Sequence, residues 1–245
     1  LCVSILQTVR VSKIWRLFHI FIAQLYRFFY FVTIAAIRFT RRSLMIDVCL
    51  FDMGGVVTRF SSAVMEQRLL SDFGKRELIS FENANPLMRH IHHDFLCGLI
   101  TDEEFWDAFQ RLTHIRPAQT EKLYTKYFMP EKNTATAALI QRLRSRNIRV
   151  VGASNAEPPH RAWHAAHSDY DIFDAVYTSD TIHFAKPDPM FYIKIAKQEN
   201  KNPEQMFFTD DNPENIEAAE ALGLSAFLFT TAEALEKHLL ALGLL

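Results

Sequence analysis

A chain of 245 residues that is 49% hydrophobic has ample material for a buried core, as one large domain or two small ones. Its formal net charge of −1 excludes a global electrostatic bias toward nucleic acid or an anionic membrane surface. Three widely spaced cysteines, Cys2, Cys49 and Cys97, exclude a disulfide framework and favour a reducing, cytoplasmic compartment.

The charge is unevenly spread. Residues 1–44 lack Asp, Glu, Gly and Pro, carry Arg10, Lys13, Arg16, Arg27, Arg38, Arg41 and Arg42, and are crowded with Phe, Ile, Leu and Tyr. Three readings stand for this segment. Leu17–Ile37 is long enough for a transmembrane helix, with Arg27 snorkelling from its centre. The acid-free basic composition also suits an interfacial or targeting helix. In the third reading the working protein starts at Met45, directly before the first strand, and membrane attachment falls away.

From Met45 onward strands alternate with helices. Ile46–Phe51 is apolar on both faces, as a central parallel strand should be, and encloses Cys49 as a buried thiol. Residues 60–130 break the alternation with helical patterns only: Ala63–Phe73, Pro86–Leu96, Asp102–Leu112 and Gln119–Phe128. Thr101 and Glu104 form a capping box for the third. Asn133 caps a helix through Arg146, with Leu139, Ile140 and Leu143 on one face. Ile148–Ala153, Ala175–Thr178, Met206–Thr209 and Ser225–Phe229 read as further strands, and a closing helix starts at Ala232. The expectation is a doubly wound, Rossmann-like parallel α/β sheet with a core of residues 45–59 and 131–245 and an all-helical insert of residues 60–130. Ligands of such sheets bind beyond the strand carboxyl ends.

Four signals fall at those ends. Asp52, in Phe51-Asp52-Met53-Gly54-Gly55-Val56, is an exposed carboxylate and a candidate nucleophile. Ser154 and Asn155 end the second apolar run and can donate hydrogen bonds to a bound anion. Lys186, in Ala-Lys-Pro-Asp-Pro, supplies a cation, and Asp188 caps the helix that follows. Asp210 and Asp211 are adjacent acids whose mutual repulsion makes a divalent cation their natural partner; oxygen donors point to Mg²⁺. Taken singly, each is also an ordinary loop carboxylate, turn, surface lysine or helix cap.

In this order, the four resemble the motifs of the haloacid dehalogenase (HAD) superfamily of aspartate-nucleophile phosphatases, over about residues 46–230. Asp-Met-Gly-Gly, Lys186-Pro187-Asp188-Pro189 and Asp210-Asp211-Asn212-Pro213-Glu214-Asn215-Ile216 are similar to a branch that includes bacterial glucose-1-phosphate phosphatase and the phosphatase domain of soluble epoxide hydrolase. Cys97-Gly98-Leu99-Ile100-Thr101-Asp102-Glu103-Glu104-Phe105 resembles an element of the helical caps of these enzymes. The resemblance implies attack by Asp52 on a small phosphorylated metabolite such as a sugar phosphate, and an aspartyl-phosphate intermediate. It further implies Mg²⁺ on Asp52, Gly54 and Asp211 assisted by Asp210, with Ser154, Asn155 and Lys186 on the phosphoryl group. Asp188 would sit near Lys186 and orient it.

Most members of the superfamily carry a second Asp where this chain has Gly54. The glycine carbonyl can still ligate metal, but the general acid is missing, a loss of about 10²–10⁴ in rate. An easier leaving group, or a proton from His92 or His93, would compensate. Otherwise the chain is a weakened, phospho-ligand-binding relative. A metal-free 2-haloacid dehalogenase is a third reading, opposed by Asp210-Asp211. Arg89-His90-Ile91-His92-His93-Asp94 fits no strong ligand spacing, so it is expected at the surface or at a cap–core contact. His160, His164 and His167 share a helix and are expected on its solvated face, although His160 is near enough to Ser154 to line the site.

Overall fold

The computed structural model describes residues 46–117 and 122–245, and the readings given above for residues 1–44 lie outside them. Five strands form one parallel sheet: β1 (Val48–Phe51), β4 (Arg149–Ser154), β5 (Ala175–Thr178), β6 (Met206–Asp210) and β7 (Ser225–Leu228), in the order β5-β4-β1-β6-β7. β1 is central because every one of its residues is buried, including Cys49.

Successive side chains of each strand point to opposite faces, and both faces are covered. Cys49, Phe51, Val150 and Phe207 pack with Leu139, Ile140 and Leu143 of α5 (Thr134–Ser145) and with Leu235 and Leu239 of α10 (Ala232–Ala241). Val48, Leu50, Val151 and Phe208 pack against Phe191, Tyr192 and Ile195 of α8 (Pro189–Glu199) and Ile216 of α9 (Pro213–Ala221). This is a doubly wound α/β core. Among the described residues, no helix is long and apolar enough to cross a membrane.

The insert follows β1. Its helices are α1 (Ser62–Asp72), α2 (Phe81–Ala84), α3 (Met88–Leu96) and α4 (Asp102–Thr113). α4 opens with the expected Thr101–Glu104 capping box. Twelve buried residues, five of them Phe81, Phe95, Phe105, Trp106 and Phe109, give this cap an apolar core of its own.

Two details differ from expectation. The helix expected over Gln119–Phe128 is, among the described residues, one 3₁₀ turn, Leu123–Thr125. Lys122 lies in the left-handed region at φ 59° and so cannot continue a helix, while Tyr124 is drawn into the cap core. A short antiparallel ribbon went unread: β2 (Thr58–Arg59) pairs with β3 (Glu131–Lys132), where the chain leaves and re-enters the core. Strands of two residues carry no period to detect.

The cap rests on the core through main-chain acceptors. Ser179 Oγ donates to the Leu96 carbonyl at 2.6 Å, and His183 Nδ1 to that of Cys97 at 2.9 Å. Gly98 follows at φ 63°, where a Cβ would lie 2.4 Å from the Asp180 carbonyl oxygen.

Candidate active site

Register places the polar residues. Phe51 pairs with Gly152 on one side and Thr209 on the other, so Asp52, Ser154 and Asp210 emerge at the same carboxyl edge. The Asp52 amide extends the ladder by donating to the Thr209 carbonyl at 3.0 Å. The chain then turns sharply: the amides of Val57 and Thr58 both donate to the Met53 carbonyl, and Thr58 Oγ1 adds a third bond at 3.1 Å. That turn leaves Gly54 and Gly55 facing a cavity of about 350 Å³, also bordered by Ser154, Asn155 and Asp211.

Lys186 Nζ lies 2.6 Å from Asp52 Oδ1 and 2.6 Å from Asp210 Oδ2. Burial alone would strip its proton, but the two carboxylates raise its pKa and keep it charged. Asp52, expected to be exposed, is buried because Lys186 and the turn after β1 cover it; its pKa is pushed upward, mainly by burial and further by the charge of Asp210, against the opposing pull of Lys186. Asp210 is 0% exposed, and besides Lys186 its oxygens accept from the Asn212 amide and from Asn215 Nδ2. Asp211 is exposed and borders the cavity; burial and then the charge of Asp210 raise its pKa. Carboxylate oxygens of Asp52, Asp210 and Asp211 all lie within 4.8 Å of one another.

The side chain of Asn155 holds Lys186 in place: its Oδ1 accepts from the Lys186 amide at 2.8 Å and its Nδ2 donates to the Lys186 carbonyl at 2.9 Å. It sets the path of the backbone that carries the lysine. Asp188 caps α8 through the Met190 amide at 2.8 Å, as expected, and the Lys186 ammonium is oriented by Asp52 and Asp210.

The histidines divide. His160 and His164, on α6 (Pro158–Ala166), are buried rather than solvated. His160 bonds Glu157 at 2.8 Å and the Tyr124 carbonyl at 2.9 Å, and stacks on Phe128 at 3.8 Å. His164 bonds Asp169 at 2.8 Å. Their period places them on the face that α6 turns toward the cavity wall, which composition alone does not reveal. In the cap, the side chain of His93 is 61% exposed, whereas His92, 28% exposed, borders the cavity.

Three contributors were missed as such. Asn215 clamps Asp210, Glu157 binds two imidazoles, and Gly55 adopts φ 80° so that the Asp211 carboxylate can occupy the place of a side chain. Gly55 carried a signal in its place in Asp-x-Gly-Gly, and Asn215 in its place in the Asp210–Ile216 match; Glu157 carried none.

The model of the haloacid dehalogenase-like hydrolases matches residues 46–223. The chain belongs to this family. Like other HAD hydrolases it has curated relatives with named activities: the sesquiterpene phosphatase astK of Aspergillus oryzae is 26% identical over 179 residues, 71% of this chain and 85% of the relative. Among solved structures, the magnesium complex of a HAD family enzyme from Bacteroides thetaiotaomicron is 25% identical, with a TM-score of 0.60 over 76% of this chain and 93% of that one. A HAD-like family hydrolase of Porphyromonas gingivalis shares the fold at a TM-score of 0.64 and 22% identity, over 80% of this chain and 98% of its own. The HAD assignment makes the chain a hydrolase with a parallel α/β core.

Proposed function

We propose that this hydrolase cleaves a phosphomonoester through an aspartyl-phosphate formed on Asp52, with Mg²⁺ as its cofactor. The observation that carries the reading is the convergence of Asp52, Lys186 and Asp211 at one sheet edge, with the lysine ammonium 2.6 Å from the Asp52 carboxylate.

The donor set fits the ion: carboxylate oxygens grouped within 4.8 Å, with Asp211 bordering the cavity, are the hard ligands Mg²⁺ prefers. Asp52, Asp211 and the Gly54 carbonyl would hold it. Asp210, with its oxygens taken by Lys186, Asn212 and Asn215, would act from behind. When bound, Mg²⁺ offsets charge on the phosphoryl oxygens and on the acids.

The remaining work falls to the chain. Asp52 attacks phosphorus, Lys186 offsets charge on nucleophile and phosphoryl group, and Ser154 donates a hydrogen bond to a phosphoryl oxygen. Water then hydrolyses the aspartyl-phosphate. For the substrate, Gly54 favours an easier leaving group such as a sugar 1-phosphate. The apolar wall of Phe60, Leu96 and Phe128, with a sesquiterpene phosphatase among the relatives, supports an isoprenyl phosphate as the second candidate.

Phosphate release from a panel of sugar, nucleotide and isoprenyl phosphates tests this. Asp52→Asn and EDTA should each lower turnover at least about 10³-fold. Release that survives either treatment would overturn the reading. Phosphorylation of Asp52 without turnover would favour a phospho-ligand-binding protein weakened at Gly54. Metal-independent chloride release from 2-chloropropionate would favour a dehalogenase.

A further inference from the structure

We propose that His92, carried in by the cap, is the general acid that protonates the departing oxygen in place of the side chain absent at Gly54. The inference rests on the phosphatase reading.

Among the described residues that border the cavity, three are histidines: His92, His160 and His164. Both ring nitrogens of His160 are engaged, one by the Glu157 carboxylate and the other by the Tyr124 carbonyl, which can only accept. His164 is held by Asp169 through Nδ1, and burial lowers its pKa, which disfavours the proton-donating form. His92 differs. Its Nε2 lies 2.9 Å from Glu157 Oε1 and 2.8 Å from the Tyr124 hydroxyl. Its Nδ1 faces Glu66 Oε1 at 4.0 Å, across from α1.

Glu157 belongs to the core loop that follows Ser154, and it borders the same cavity as His92, to which it is joined at Nε2. A carboxylate ahead of each nitrogen suits an imidazolium. Burial would lower the pKa of His92, but the hydrogen bond and charge of Glu157, with the charge of Glu66, leave it raised. The cost of holding Glu157 in the wall is met by the same pairs: burial pushes its carboxyl upward, and hydrogen bonds from His160 and His92 more than reverse this and keep it ionised.

In the step itself the Asp52 oxygen–phosphorus bond forms and the phosphorus–oxygen ester bond breaks. The departing oxygen keeps the electron pair and takes the Nε2 proton, leaving the alcohol and a neutral imidazole. The Tyr124 hydroxyl stands ready to donate into the vacated Nε2 lone pair, and the remaining N–H faces Glu66. When water hydrolyses the aspartyl-phosphate, the proton it releases returns to Nε2 and the imidazolium is restored.

The test is a leaving-group comparison on the full chain with Mg²⁺: p-nitrophenyl phosphate, whose leaving group needs no proton, against phenyl phosphate, whose leaving group gains from one. His92→Gln should slow phenyl phosphate about 10²-fold and p-nitrophenyl phosphate by less than about fivefold. It should also remove the alkaline limb of the wild-type kcat profile, where activity falls as pH rises through the raised His92 pKa. Gly54→Asp added to His92→Gln should restore phenyl phosphate turnover, because a side chain at position 54 meets open space. Equal losses on both substrates, or no loss on either, would overturn the assignment. Wild-type protein inert toward both would instead remove the phosphatase reading, and this inference with it.

Discussion

A methyl group added at Gly54 would meet nothing within 4 Å, whereas one added at Gly55 would lie 1.9 Å from Oδ2 of Asp211. The two neighbours therefore answer to different demands. Gly55 is required twice over, by its φ of 80° and by the carboxylate that fills its side-chain space. Gly54 is required by neither, so the missing general acid is a chemical choice and not a concession to the fold. Gly54→Ala should leave the Mg²⁺ concentration for half-maximal activity within about twofold, while Gly55→Ala displaces Asp211 and should raise it about 10–100-fold. A Mg²⁺ titration of turnover in both variants checks this, and equal behaviour would refute it. At this scale Asp52, Lys186, Asp210 and Asp211 were legible, because each ends a strand or follows one at a fixed interval. The roles of Glu157 and Asn215 were not. Glu157 takes its meaning from His92, 65 residues away in the chain, and Asn215 from its clamp on the buried Asp210.

At the scale of elements, burial decided what could be read. Strands buried on both faces announce themselves as apolar runs, and the five-strand sheet was legible within a residue or two. The capping box of α4 was legible for a local reason, since Thr101 and Glu104 satisfy each other's backbone. The failed helix over Gln119–Phe128 had a helical period too, but a left-handed Lys122 and an inward Tyr124 overrode it. The turn after α3 is a further case where a short motif carries tertiary meaning. Gly98 is pressed against the Asp180 backbone, between two hydrogen bonds that carry α3 onto the core. Gly98→Ala forces a left-handed alanine into a carbonyl at 2.4 Å, and backbone cannot yield as a flexible side chain would. A loss of at least about 2 kcal/mol is expected, or roughly 4–8 °C in melting temperature. Because the strain falls on the seam, KM should rise as well. An unchanged melting temperature would show that the cap is not seated there.

Among the described residues there are three apolar cores. Two lie on either side of the sheet and share its strands, so neither can open without the other. The third lies inside the cap, and the chain crosses between cap and core at the β2–β3 ribbon. Asp52, Asp210, Asp211 and Lys186 belong to the sheet edge, whereas His92 belongs to the cap. If the cap opens as a separate unit, destabilising its core should uncouple these two halves of the chemistry. Phe109, fully buried among Phe73, Phe81 and Trp106, is the place to test this. Phe109→Ala removes a ring from that cluster, at a cost of about 3–5 kcal/mol. Hydrogen exchange should accelerate in α1, α3 and α4 while the amides of β1, β4 and β6 keep their protection. Turnover of p-nitrophenyl phosphate, which draws on the sheet edge, should survive better than turnover of phenyl phosphate, which draws on His92. Uniform loss of protection across sheet and cap would mean one cooperative unit, in which His92 cannot be withdrawn without melting the sheet edge as well.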